Sequence, residues 1–270
     1  MSLQRITEDN RLISVVRPDI QAPVIDVRCL GGFRIAIDGE PANLSAIRPK
    51  ARTFLRLLAS RAGDSVHEDY LVEALWLGMP RASARRNLQV AASAARRLLE
   101  PSAERGQHRL LLRDGAAYRL ALGPGSRSDV AEFRSAVVRW RKAKHQHVDA
   151  QRRALRSVLA AYGGDLLPED GPAEWVVADR ELLRGDAARA ATELAAIELN
   201  QGNPQAAIDA AEISVRLDPY RDQAWRLLSA SHELTGNLAA ATLSKQQYDQ
   251  MLDELGVARD SSDGEGSTTR

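Results

Sequence analysis

Between Pro80 and Glu100 the chain reads PRASARRNLQVAASAARRLLE, and its polar residues recur at a spacing that gathers them on one side of a helix. At about 100° per residue, Arg85, Arg86, Gln89, Ser93, Arg96 and Arg97 share one arc, while Leu88, Ala91, Ala92, Ala95, Leu98 and Leu99 share the arc beside it. Arginine offers a planar fork of donors that fits guanine or phosphate, and glutamine can pair with adenine through its amide. Such a face suits a groove of DNA, with Arg85, Arg86 and Gln89 as base-reading candidates and Ser93, Arg96 and Arg97 as backbone contacts. An alanine-rich helix with a solvated arginine face has the same composition, so the elements around it decide between the two readings.

Those elements form an ordered series. Val24 to Ile37, VIDVRCLGGFRIAI, predicts a small antiparallel sheet, with Asp38-Gly39 as a hairpin turn. Pro49 opens a first helix carrying Phe54, Leu57 and Leu58, which Gly63 stops. Ser65 and Glu68 have the spacing of a capping box ahead of Tyr70, Leu71, Ala74, Leu75 and Trp76. Gly78 and Pro80 separate that second helix from the cationic third, whose expected cap is Ser83 or a residue just before it. Leu110 to Arg113 and Ala117 to Leu122 then flank Asp114-Gly115 as a two-stranded hairpin. Sheet, three helices and hairpin in this order predict a winged helix-turn-helix over residues 24–124, its third helix in the major groove and its hairpin as wing. Arg113 at the wing turn, and Lys50 and Arg52 at the start of the first helix, are further DNA-contact candidates.

Gly123-Pro124-Gly125-Ser126 has the composition of a linker between two separately folding halves, and from Ser128 the pattern is helical alone. QGNPQAA at 201–207 returns as TGNLAAA at 235–241, the period of tetratricopeptide helix pairs. The fold class expected is thus mostly α: an α+β winged helix followed by an all-α tetratricopeptide-like repeat domain over 128–258. Residues 1–23 read as a mobile arm and 259–270, without an apolar side chain, as a disordered tail.

Composition narrows the function classes. The 270 residues are 44% hydrophobic and 27% charged, as in globular proteins that bury a core without metals or disulfides. The net charge of +1 hides an asymmetry: residues 24–124 carry 16 Lys and Arg against 10 Asp and Glu, and residues 125–270 carry 18 against 23. A basic first half fits a polyanion partner. Cys29, the single cysteine, lies in an apolar run and reads as a buried thiol in a reducing cytosol. No apolar run approaches the roughly 18 residues of a membrane span. His67, His108, His145, His147 and His232 lack metal-ligand spacing, no serine sits in a nucleophile elbow, and no glycine loop cradles a phosphate. No enzyme, metal or cofactor is expected. Trp140, Tyr162, Trp175, Tyr220 and Trp225 read as core of the helical half.

Four stretches resemble a known family: LGGFRIAIDGE (30–40), VHEDYLVEALW (66–76), SARRNLQVAASAARRLL (83–99), and AYGGDLLPED (161–170) with the following EWVVADRELLR. Together they are similar to the Streptomyces antibiotic regulatory proteins, which join a winged helix to a bacterial transcriptional activator domain. The resemblance implies an activator that binds direct repeats in double-stranded promoter DNA and recruits RNA polymerase holoenzyme through its sigma factor and neighbouring subunits; a cytoplasmic regulator is expected, with a second protomer as a further partner of residues 128–258. Two departures stand out: Ala94 and Ala95 replace the usual arginine and leucine, and the wing reads AAYRL at 116–120 in place of a glycine before the tyrosine. They keep a rival reading open, in which the chain is a helical-repeat adaptor whose winged helix docks proteins.

Overall fold

The β-branched run after Pro23 forms β1 (Ile25–Arg28), and β2 (Arg34–Ile37) returns antiparallel across Gly31-Gly32 with Ile25 opposite Ile37. Asp38 and Gly39, both at positive φ, give the tight turn to β3 (Glu40–Pro41) that the sequence predicts. This computed structural model describes residues 23–104 and 106–256, so the expected arm, apart from Pro23, and the expected tail lie outside the described residues.

Pro49, with its fixed φ, starts α1 (Pro49–Ser60), which buries Phe54, Leu55, Leu57 and Leu58. A short strand β4 (Val66–His67) comes before α2 (Glu68–Leu75), so the capping box at Ser65 does not form; the His67 ring accepts from Asp69 N instead. β4 pairs with the wing, and that pairing holds Val66 and His67 extended. α3 (Arg81–Leu99) begins two residues ahead of Ser83, because Pro80 already supplies the extended residue before a helix. Its alanines favour the helical state, and the small stripe of Ala84, Leu88, Ala91, Ala92, Ala95 and Leu99 is buried against the core. β5 (Leu111–Asp114) and β6 (Ala117–Leu120) form the wing around a Gly115-Ala116 turn, and Tyr118 meets Phe54 of α1 edge-on at 5.7 Å.

The linker composition after Gly123 does not produce a free tether. β7 (Arg127–Ser128) completes the first sheet by pairing parallel with β1, so the strand order is β3-β2-β1-β7. Ser126 Oγ accepts from Ile25 N at 3.1 Å, and the Asp129 carboxylate accepts from Cys29 N and Leu30 N. From the other side, the 163–168 loop docks on the β1–β2 turn, with Gly31 N donating to Asp165 O at 2.9 Å and Leu167 N to Cys29 O at 2.8 Å. Gly31 has φ +77°, and a Cβ there would lie 2.4 Å from Gly163 O, so both backbone freedom and lack of bulk are required. Arg56 forks onto Asp170 at 2.6 and 2.7 Å, and Arg61 reaches Asp179 at 3.1 Å. Composition alone marks flexibility; the backbone groups of β1 decide otherwise, because as an edge they need partners.

Among the described residues beyond β7 the regular elements are helical: α4 (Asp129–Ala143), α5 (Val148–Ala161), α6 (Glu174–Asn200), α7 (Pro204–Leu217), α8 (Asp222–Leu234) and α9 (Leu238–Glu254), with a 3-10 turn at Pro168–Asp170. Gly202 and Gly236, at φ +74° and +76°, make the equivalent turns of the repeat. Buried alanines of α6 (Ala187, Ala188, Ala191, Ala195) and α7 (Ala207, Ala210, Ala211) let these helices approach closely. Trp140 is buried, Tyr162, Trp175 and Trp225 are half-buried, and Tyr220 is exposed. The expectation of core fails for Tyr220 because it sits in the turn after Pro219, where Asp218 Oδ1 accepts its N–H and the ring faces outward.

Candidate nucleic-acid interface

α3 presents three faces. One packs on α1, one is the outer arc, and the third, through Val90, Ala94 and Leu98, borders a cavity shared with the first sheet. On the outer arc Arg86, Gln89, Ser93 and Arg97 are exposed. From Arg86 to Arg97 the rise is about 16 Å, roughly five base steps. Arg86 makes only a local contact, Nη2 to Ser83 Oγ at 3.2 Å, and among the described residues no hydrogen bond or ion pair ties an α3 side chain to the helical half.

Of the remaining sequence candidates, Arg85, Arg113, Arg96 and Lys50 are engaged within the protein. Arg85 is half-buried, forms an ion pair with Glu68 Oε1 at 2.9 Å and donates to Asp69 Oδ1 at 3.4 Å. Arg113 reaches the other oxygen of Glu68 at 3.4 Å, and its guanidinium lies 5.5 Å from the Tyr118 ring centre. Glu68 therefore bridges the third helix to the wing. Glu68 and Asp69 sit in the first turn of α2, where they complement its dipole, and the fold also brings Arg81, Arg85 and Arg113 to them. The Arg81 hydrogen bond holds the exposed Asp69 carboxyl below its ordinary pKa.

Arg96 departs furthest from its expected role. Its Nε donates to Leu111 O at 2.9 Å, which fastens α3 to the wing strand. Helical spacing places it at the boundary of core and outer arc, and only the position of β5 shows which side it takes. Lys50 Nζ donates to Leu75 O at 2.7 Å and closes the carbonyl end of α2. Arg52 is half-buried on α1. Glu100, missed in the sequence, is buried and accepts from Arg109 N and Leu110 N, setting the path from α3 into the wing. Ala95 is buried in the core and Ala94 borders the cavity, so neither alanine exposes a defect on the outer arc.

A model of the bacterial transcriptional activator domain matches residues 128–262. The chain belongs to that family. The bacterial transcriptional activator domain begins where β7 ends and α4 starts. Over 87% of this chain and 76% of its own length, the transcriptional regulatory protein MoaR1 of Mycobacterium bovis is 26% identical. The transcriptional regulatory protein EmbR of Mycobacterium tuberculosis is 27% identical over 86% of this chain, which spans 60% of EmbR. A solved structure of Mycobacterium tuberculosis EmbR, in complex with a low-affinity phosphopeptide, superimposes with a TM-score of 0.70 at 25% identity, covering 87% of this chain and 62% of that one. The resemblance to the Streptomyces antibiotic regulatory proteins and the mostly helical architecture it implied are both borne out. The chain is a transcriptional regulator and not an enzyme. Among the described residues no group of three or more His, Cys, Asp or Glu is placed to hold a metal, and no helix is long and apolar enough to cross a membrane. His67 and His147 serve as helix caps.

Proposed function

We propose that this regulator binds promoter DNA sequence-specifically through α3. Arg86 and Gln89 read bases, Ser93 and Arg97 contact phosphates, and the Arg113 wing lies along the flanking backbone. The observation that carries the reading is the outer arc itself: four exposed polar side chains on a helix fixed by its buried face, with no bond, among the described residues, to the helical half across it. Arg85 enters the same surface on its Glu68 support, which fixes its guanidinium before a duplex arrives and lowers the entropy lost on binding. Residues 24–124 are the DNA-binding unit and 128–258 the activator unit, which contacts RNA polymerase holoenzyme in the cytoplasm through its sigma factor, as the family resemblance implies.

A mobility-shift titration at two salt concentrations tests the DNA contact. Wild-type protein should bind with a steep salt dependence, and Arg97→Ala should weaken binding to all duplexes and flatten the salt slope by about one. Binding that is absent at low salt, or an unchanged slope in the variant, contradicts the reading. Absence of DNA binding with stable capture of a protein partner would support the adaptor reading instead.

A further inference from the structure

The third face of α3 borders a cavity of about 1200 Å³, walled by β2 and β3, the Leu44–Ala46 turn, the start of α1, the end of α2 and α3 itself. Its apolar lining includes Ile37, Ile47, Trp76, Val90, Ala94 and Leu98. Val90 is 60% exposed, although it belongs to a helix whose other apolar residues are mostly covered. A concave apolar surface of this size has the character of a small-molecule site.

The charges at its rim are unequal. The guanidinium groups of Arg48 and Arg97 make no hydrogen bond or ion pair to any described residue, and Glu40 is the one acid in the lining. The ammonium group of Lys50 is turned to Leu75 O, and α1 brings an N-terminus with no acidic residue in its first turn and no side-chain cap to the same edge. We propose that this bowl binds an amphipathic organic anion, with an apolar body of drug size against Trp76, Val90 and Ala94 and a single carboxylate or sulfonate between Arg48 and Arg97. A second copy meeting this one through the same surface would bring the same cationic rim against it. Residues 1–22, which lead into β1 beside β2, carry three arginines and three acids and so offer no net negative charge. Arg97 serves both readings, whereas Arg48, Ile37 and Trp76 lie off the outer arc, so the probe assay, run without DNA, succeeds or fails independently of the DNA reading.

The test uses the full chain and 8-anilinonaphthalene-1-sulfonate as a fluorescent probe, with decanoate and decanol as competitors. Saturable one-site binding is expected, with decanoate displacing the probe at least fivefold more effectively than decanol. Val90→Glu, at an exposed position, should weaken probe binding tenfold or more at an unchanged melting temperature. The Arg48→Ala/Arg97→Ala double variant should abolish the preference for decanoate over decanol. Unsaturable binding, equal displacement by decanol, or an unaffected Val90→Glu variant overturns the proposal. So does a dimer that decanoate dissociates, which would place a second copy in the bowl, or a tenfold gain in probe affinity on Val15→Asp, which would place the chain's own start there.

Discussion

The seam between the two halves and the outer arc of α3 are both rich in charged residues, yet they use them in opposite ways. In the seam nearly every polar group is matched: Asp129 with three backbone N–H groups, Arg56 with Asp170, and Arg180 with the carbonyls of Leu166, Leu167 and Gly171. Among the described residues, the outer-arc side chains of Gln89 and Arg97 have no bonded partner and Arg86 has only a local one. A buried polar group left unmatched costs about 1–3 kcal/mol, so the seam must be complete to exist, whereas exposed groups on the arc remain solvated until a ligand replaces water. Completeness marks the seam as structural, and the unpaired groups of the arc are the ones that the proposed duplex would engage.

The sharpest way to break the contrast is at Gly31. Gly31→Val should lower stability by about 3–5 kcal/mol through a forbidden φ and a clash with Gly163 O, read as a lower urea midpoint. A midpoint near wild type would show that the seam yields easily. On the arc, Arg86→Ala and Gln89→Ala should each remove about 1–3 kcal/mol of base discrimination while changing stability by no more than about 0.5 kcal/mol. Arg96→Ala separates bonded from free arginines: it should lower stability by about 1 kcal/mol through loss of the Leu111 O bond and leave the salt slope of DNA binding intact. A flattened slope would return Arg96 to the arc.

The smallest effect is one of pH. The Arg184 hydrogen bond, opposed by partial burial and aided by Tyr162, holds the Asp165 carboxyl below its ordinary pKa. Its contribution is therefore present above the ordinary carboxylate range and lost as pH falls through the depressed value. Asp165→Asn should flatten the acid limb of the stability profile, by less than about 1 kcal/mol because the pair is partly exposed. Burial has the opposite effect on Asp129, whose pKa is raised despite its backbone bonds, so its ionised form costs stability as pH rises. An acid limb unchanged by Asp165→Asn would remove Arg184 from the docking of the 163–168 loop.

What the sequence made legible follows from range. Helical period, Pro49, the Asp38-Gly39 turn and the 34-residue return of the Gly-Asn turn are local signals, and each element they mark is present. The fates of Arg85, Arg96 and Lys50 were not legible, because their partners Glu68, Leu111 and Leu75 come from other elements that only the packed fold brings near. The docked junction was hidden for the same reason: glycine and serine describe what a segment can do, and the unpaired edge of β1 determines what it does.

Selection of bound duplexes from a random-sequence pool, run in parallel on wild-type protein, Arg86→Ala and Gln89→Ala, tests the role of the outer arc most directly. Wild type should enrich a defined repeat, and each variant should lose preference at a distinct base position while keeping its melting temperature. No enrichment by wild type, or one unaltered motif from all three proteins, would contradict the assignment of α3 as the reading helix.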